Sequence, residues 1–207
     1  FRAPMADGRK VLDLVAYHPA TARHLCTKLA RRLVRDTPSE ALVAAATEVW
    51  TKHRDRPQQI AAAVRCIATH RDFAESAGAK VKRPLEVAAS YLRATEIDFA
   101  PTEGLLNQLA AGGHRLFGWA PPTGHPDNRD YWLSTNAMRQ RWALVFGLAD
   151  DRWQTGAFEP TRVLGRPTPT ALEAATFWQE RLLGSTDNAV ANRVLTAMRL
   201  APDRRFT

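Results

Sequence analysis

The chain has 207 residues, 45% of them hydrophobic, with 29 Lys and Arg against 21 Asp and Glu and a net charge of +8. A chain this long buries roughly 70% of its unfolded surface without a metal or disulfide staple, and two cysteines, Cys26 and Cys66, are too few for a disulfide framework. No apolar run reaches the about 18 residues that a membrane-spanning helix needs. The basic balance admits nucleic acid, acidic glycan, an anionic membrane surface or an acidic protein as partner, and selects none of them.

Residues 1–7 read as an irregular lead-in without a signal-peptide pattern. A chain that starts at Phe1 rather than Met is expected to be a processed or trimmed piece. Val11, Leu12, Leu14 and Val15 mark a short helix over 9–16. Pro19 then suits a first helical position, and it holds His18 outside the α region. Over residues 19–36, Leu25, Leu29 and Leu33 recur at every fourth position beside Ala22, Cys26, Ala30 and Val34, which predicts a core-facing helix. Arg31, Arg32 and Arg35 fall in the last turns, where cations suit the helix dipole. Arg23 and Lys28 have no such reason, so they either face solvent or form an anion-binding face. Cys26 and Cys66 both fall on apolar stripes and read as buried free thiols, with a disulfide between neighbouring helices as the alternative.

Thr37-Pro38 ends this helix, and Ser39 with Glu40 opens the next, whose inner face is Leu42, Val43, Ala46, Val49 and Trp50. Pro57 starts another, striped by Ile60, Val64, Ile67 and Ala68, with Phe73 packing past its end. Lys80, Lys82 and Arg83 precede Pro84, the start of a helix aligned by Leu85, Ala88, Tyr91, Leu92 and Thr95. The dipole does not favour cations there. The three cations together with free helix amides make a candidate anion site for phosphate, sulfate or carboxylate; the other readings are an exposed basic loop or docking of an acidic partner. Pro101-Thr102 begins a short helix with Leu105, Leu106 and Leu109.

A long irregular stretch follows at 111–128, rich in Gly and Pro, in which Leu116, Phe117 and Trp119 read as packing anchors. His125-Pro126-Asp127 is the tripeptide of J-domain co-chaperones, but a Gly/Pro loop precedes it here. Asp127 or Asn128 reads instead as the cap of a helix running from Arg129 to Leu148. Residues 150–169 form a second loop. Thr170 with Glu173 makes a capping box for a helix ended by Gly184, and Asn188 opens the last helix. Everything periodic repeats at 3.6. The expected fold is all-α, an irregular bundle of about eight or nine helices joined by short loops plus two longer Gly/Pro-rich loops. Residues 1–150 are expected to form one helical domain, with 151–207 a helical pair packed on it.

The chemistry-bearing residues form no catalytic pattern. The six histidines lack metal-ligand spacing, and C-x-x-C, HExxH and G-x-S-x-G are absent, so neither a metal nor a cofactor is implied. Glu86, Glu96, Asp98 and Glu103 offer no preferred pair for glycoside chemistry. Trp50, Trp132, Trp142 and Trp178 read as core, whereas Trp119 and Trp153 are the better exposed candidates for stacking on a sugar.

Three stretches carry a resemblance: DGRKVLDLVAYHPATARHLCTKLARRLVRD at 7–36, KVKRPLEVAASYLRAT at 80–95 and PPTGHPDNRDYWLSTNAMRQRWAL at 121–144. In order and spacing they resemble the C-terminal part of a bacterial family catalogued as domain of unknown function 1800. The resemblance implies a mainly helical protein that is exported, hence periplasmic or secreted, with a longer N-terminal half expected to be missing here and a sulfatase-like neighbour as one candidate partner. It implies a loop at 121–133 anchored by Trp132 and Leu133, and no settled reaction. The expectation is therefore a helical interaction or scaffold module. It would meet an acidic partner, or its own N-terminal half, through the basic face (Arg23, Lys28, Lys80, Lys82, Arg83) and through loop contacts Trp119, His125 and Asp127. A part of an enzyme or binding protein for an anionic polysaccharide is the alternative; it would draw Lys82, Arg83, Arg23 and His125 together. Nucleic-acid binding rests on charge alone, with no helix-turn-helix or zinc-finger pattern behind it.

Overall fold

The computed structural model describes residues 4–185 and 187–206, apart from the side chains of Pro4 and Thr161. Twelve helices and no strand occur among the described residues, so the all-α expectation holds. Three of them are single-turn pieces: α5 (Arg71–Ala74), α8 (Arg129–Trp132) and α10 (Pro160–Leu164). The chain forms two compact units. The first runs to Val81 and takes in Pro126–Tyr131; the second is 82–125 with the residues from Trp132 onward.

The first unit is built from α1 (Pro4–Tyr17), α2 (Pro19–Leu33), α3 (Glu40–Lys52), α4 (Gln59–Ala68) and α5. Its caps follow the local chemistry. His18 stays extended at ψ 134° and its Nδ1 accepts the Ala20 N–H at 3.1 Å. Ser39 Oγ accepts the Leu42 N–H at 3.1 Å. The core is Cys26, Ala30, Val34, Leu42, Val43, Ala46 and Ile67, with Leu29 and Trp50 packed against it. The leucine stripe of α2 is thus not its innermost line. Ala22, Cys26, Ala30 and Val34 are the buried series, and Leu33 is 38% exposed. Small side chains let α3 approach closely, and the leucines cover the flanks of that contact. The first helix also begins earlier than expected, and Met5, Val11, Leu12, Leu14 and Val15 on it are exposed.

The second unit holds α6 (Pro84–Thr95), α7 (Glu103–Ala111), α9 (Thr135–Ala149), α10, α11 (Ala171–Leu183) and α12 (Asn188–Met198). The predicted 129–148 helix is broken. Ser134 is extended at ψ 155° and its hydroxyl accepts the Ala137 N–H, so α9 starts afresh after α8. The core is Ala88, Leu105, Leu109, Leu144 and Leu148, with Val87, Tyr91, Leu92 and Trp153 against it. Trp153, expected to be exposed, instead lies on two glycines: a Cβ at Gly104 would meet its ring at 2.7 Å and one at Gly147 at 2.3 Å. Trp142, expected in the core, is 61% exposed and stacks on Phe146 at 5.9 Å. α11 opens with the foreseen capping box and pairs with α12; α11 also touches α6. A short bridge joins Thr170 to Arg205, and the Phe206 N–H donates to the Pro169 carbonyl.

Candidate functional site

In the first unit, Asp36 sits just past the end of α2 and gathers charge from distant parts of the chain. Its Oδ1 accepts from Lys80 Nζ at 2.6 Å and its Oδ2 accepts the Arg129 backbone N–H at 2.6 Å. Lys80 also donates to the Asp127 carbonyl at 3.3 Å and lies 3.5 Å from its carboxylate, which in turn is 3.6 Å from Arg32. Two carboxylates and two cations alternate, so the node is locally neutral. Burial alone would push the Asp36 pKa up. The Lys80 hydrogen bond, the Arg129 amide and the Lys80 charge outweigh it, and the net shift is down. Lys80, a predicted anion ligand, thus has its charge met within the protein. Asn128 rather than Asp127 caps α8, its Oδ1 accepting the Tyr131 N–H at 3.2 Å.

The other basic candidates of this unit lie apart from the node. Arg23 grips Glu40 through both terminal nitrogens, at 2.7 and 2.6 Å. Lys28 is exposed. Sequence reasoning missed Asp36 and Arg129, and no local pattern could have found them, since they are 93 residues apart.

In the second unit, Lys82, Arg93 and Arg181 share an open groove of about 570 Å³ with Glu86 and Ser90. Arg181 pairs there with the Glu96 carboxylate and the Ala94 carbonyl. Glu86 accepts the Arg83 backbone N–H at 2.8 Å, which fixes the start of α6. Lys82 and Arg83 belong to this unit, and Arg23, Lys28, Lys80 and Asp127 to the first.

The 112–125 part of the long loop is held from beneath by an aromatic cluster. His114 is buried and its Nδ1 accepts the Leu85 N–H at 3.3 Å. Its ring lies 4.8 Å from His125 and 5.3 Å from Trp132, and Trp119 lies 5.0 Å from His125. His125 Nε2 is 3.0 Å from the Arg115 carbonyl, which requires that nitrogen to carry the proton and donate. Trp119 is thereby partly buried rather than free to stack on a sugar. Phe117 was expected to anchor the loop. It is instead fully exposed, with φ +57°, on the turn closed by the Gly118 N–H to the Arg115 carbonyl. Among the described residues no group of three His, Cys, Asp or Glu is placed to hold a metal ion, and no helix is long and apolar enough to cross a membrane.

The model of a family described as protein of unknown function (DUF1800) matches residues 2–205. The chain belongs to that family. No curated protein and no solved structure matches it. In this DUF1800 chain the three stretches singled out by sequence meet at the Asp36 node. Asp36 closes the first, Lys80 opens the second, and Asp127 and Arg129 lie in the third. One network of hydrogen bonds and ion pairs ties Asp127 and Arg129 to Lys80 and to Asp36 at the end of α2.

Proposed function

We propose that this DUF1800 chain is a helical interaction module that works outside the cytoplasm and meets an acidic protein partner, its own N-terminal half being one such candidate. The observation that carries the reading is Phe117. A fully exposed aromatic ring sits in the left-handed region, on a loop braced below by His114, Trp119, His125 and Trp132. Exposing an aromatic ring and straining a non-glycine backbone both cost free energy, and a bracing cluster holds such a ring ready for contact. Arg115 beside it, and the net charge of +8, favour an acidic partner. The exposed apolar face of α1, where Met5 and Leu12 are seven residues apart and Val11 and Val15 four, supports the same reading. The test places a photo-crosslinking amino acid at Phe117 in cells and, as control, at the exposed Ile60. A discrete adduct at Phe117 alone is expected, with the purified partner bound at least about ten-fold more weakly by Phe117→Ala. Equal labelling at both positions, or unchanged affinity, refutes the reading.

The groove of Lys82, Arg93 and Arg181 favours a second reading, a binding or enzyme part for an anionic polysaccharide. That reading expects a sulfated oligosaccharide to bind with steep salt dependence and Lys82→Glu with Arg93→Glu to abolish binding. Affinity indifferent to the double change rejects it.

A further inference from the structure

We propose that α9 pairs with α9 of a second copy of this chain, antiparallel about a two-fold axis level with Leu144, so that Trp142 of each copy packs on Phe146 of the other. Met138, Trp142 and Phe146 follow one another at single-turn spacing along one face of α9, and they are 38%, 61% and 56% exposed. The two rings already stack on each other, with centroids 5.9 Å apart and planes inclined by 23°, so the face is ordered before contact. Aromatic rings and Met are enriched at the buried centre of interfaces, where Trp carries a large share of the binding energy. Leu144 and Leu148, on the opposite face of α9, are taken up by the core of the second unit.

Charge selects the occupant. Arg139 and Asp150 are both exposed and flank the aromatic pair at its two ends. They lie on the same side of it, because the eleven residues between them span close to three whole turns at about 3.6 residues each. Arg139 has no carboxylate partner among the described residues and donates to Asn136 Oδ1 at 3.3 Å, while Asp150 keeps a loose pair with Arg152 at 4.0 Å. In an antiparallel pair centred at Leu144, Arg139 of one copy is level with Ala149 of the other, about 1.5 Å along the axis from Asp150. Each Arg139 therefore meets the other copy's Asp150, once at either end of the ring cluster. A parallel two-fold pair would set Arg139 against Arg139 and Asp150 against Asp150, which like charges oppose. One cation and one anion leave the face neutral, so it favours neither an acidic partner nor an anionic membrane surface. A face that carries its own complement fits a second copy, and two-fold pairs of identical chains are the commonest oligomers. The pairing uses neither Phe117 nor the Lys82 groove.

The test is sedimentation equilibrium of the full chain over a wide concentration range, with circular dichroism and Tm as folding controls at these exposed positions. A monomer–dimer equilibrium is expected. Trp142→Ala should weaken the dimer at least about 30-fold, the size of an interface hot spot. Arg139→Glu and Asp150→Arg should each weaken it about ten-fold, since either change breaks both symmetric pairs. The two changes combined should restore it to within about a factor of two of the native chain, because the reversed charges again meet their opposites. Phe117→Ala should leave it unchanged. A chain that stays monomeric, a dimer indifferent to Trp142→Ala, or a double charge reversal weaker than both single ones overturns the proposal. So does a blue shift of tryptophan emission on neutral phosphatidylcholine vesicles, lost in Trp142→Phe, with the chain still monomeric, which assigns the face to a lipid surface.

Discussion

Replacing Asp36 by Asn tests the node at its centre. The carboxylate accepts two charge-assisted hydrogen bonds, from Lys80 Nζ and the Arg129 N–H, each at 2.6 Å. Each such bond contributes about 1.5–3 kcal/mol net. The Asp36 and Lys80 side chains are 19% and 23% exposed, which rules out the full interior value. Asn keeps one acceptor oxygen, and Lys80 can fall back on Asp127. About half the sum then remains as the loss, about 2 kcal/mol. That is a large share of the about 5–15 kcal/mol typical of a folded domain. Urea unfolding at pH 7 should show a lower midpoint at unchanged slope. Exchange of the Arg129 amide should accelerate, since its acceptor has lost its charge. The folded-state pKa of Asp36 lies below its ordinary 3.8. Its contribution is therefore complete above about pH 5 and is lost as pH falls through the folded value, and Asp36→Asn removes that part of the acid dependence. A stability change under about 0.5 kcal/mol, with protection at Arg129 intact, would refute the assignment of the node as a structural tie.

Gly147→Ala puts a methyl 2.3 Å from the Trp153 ring, so overpacking should outweigh the helix-propensity gain and destabilise by about 1–2 kcal/mol, read as a lower Tm with altered tryptophan emission. Gly8→Ala, on α1 with nothing within 4 Å, should instead stabilise by about 0.5–1 kcal/mol in the same assay. Burial pushes both thiols above their ordinary pKa, with Cys26 fully buried and Cys66 only partly so. Ellman's reagent at pH 7 should therefore label Cys66 slowly and Cys26 only on unfolding; rapid labelling of both contradicts the packing of α2. Thr170→Ala removes the hydroxyl that accepts the Glu173 N–H at 3.2 Å and should cost about 1 kcal/mol, checked by thermal melting.

Local chemistry was legible in the sequence. Pro19, Ser39, Thr102 and the Thr170–Glu173 pair act within three residues of themselves, so the helix starts they mark appear where expected. The 3.6-residue period likewise placed the all-α fold, because it is a property of each segment alone. The same period could not rank the faces of a helix. Trp142 and Leu33 lie on apolar stripes yet remain exposed, while Trp153, from a loop, covers the core because two glycines leave room for its ring.

What tertiary structure alone decided is which charges meet. Lys80 read as an anion ligand because its own neighbours are basic, and its carboxylate lies 44 residues away. Phe117 read as an anchor because aromatic residues in loops usually pack, whereas a left-handed turn carries it outward and leaves the bracing to Trp119 and His125. Sequence by itself determined the all-α class, the capped starts of α2, α3, α7 and α11, and the family. The pairing of side chains across long stretches of chain waited on the fold, because Coulomb and hydrogen-bond contacts depend on distance in space and leave no period along the backbone.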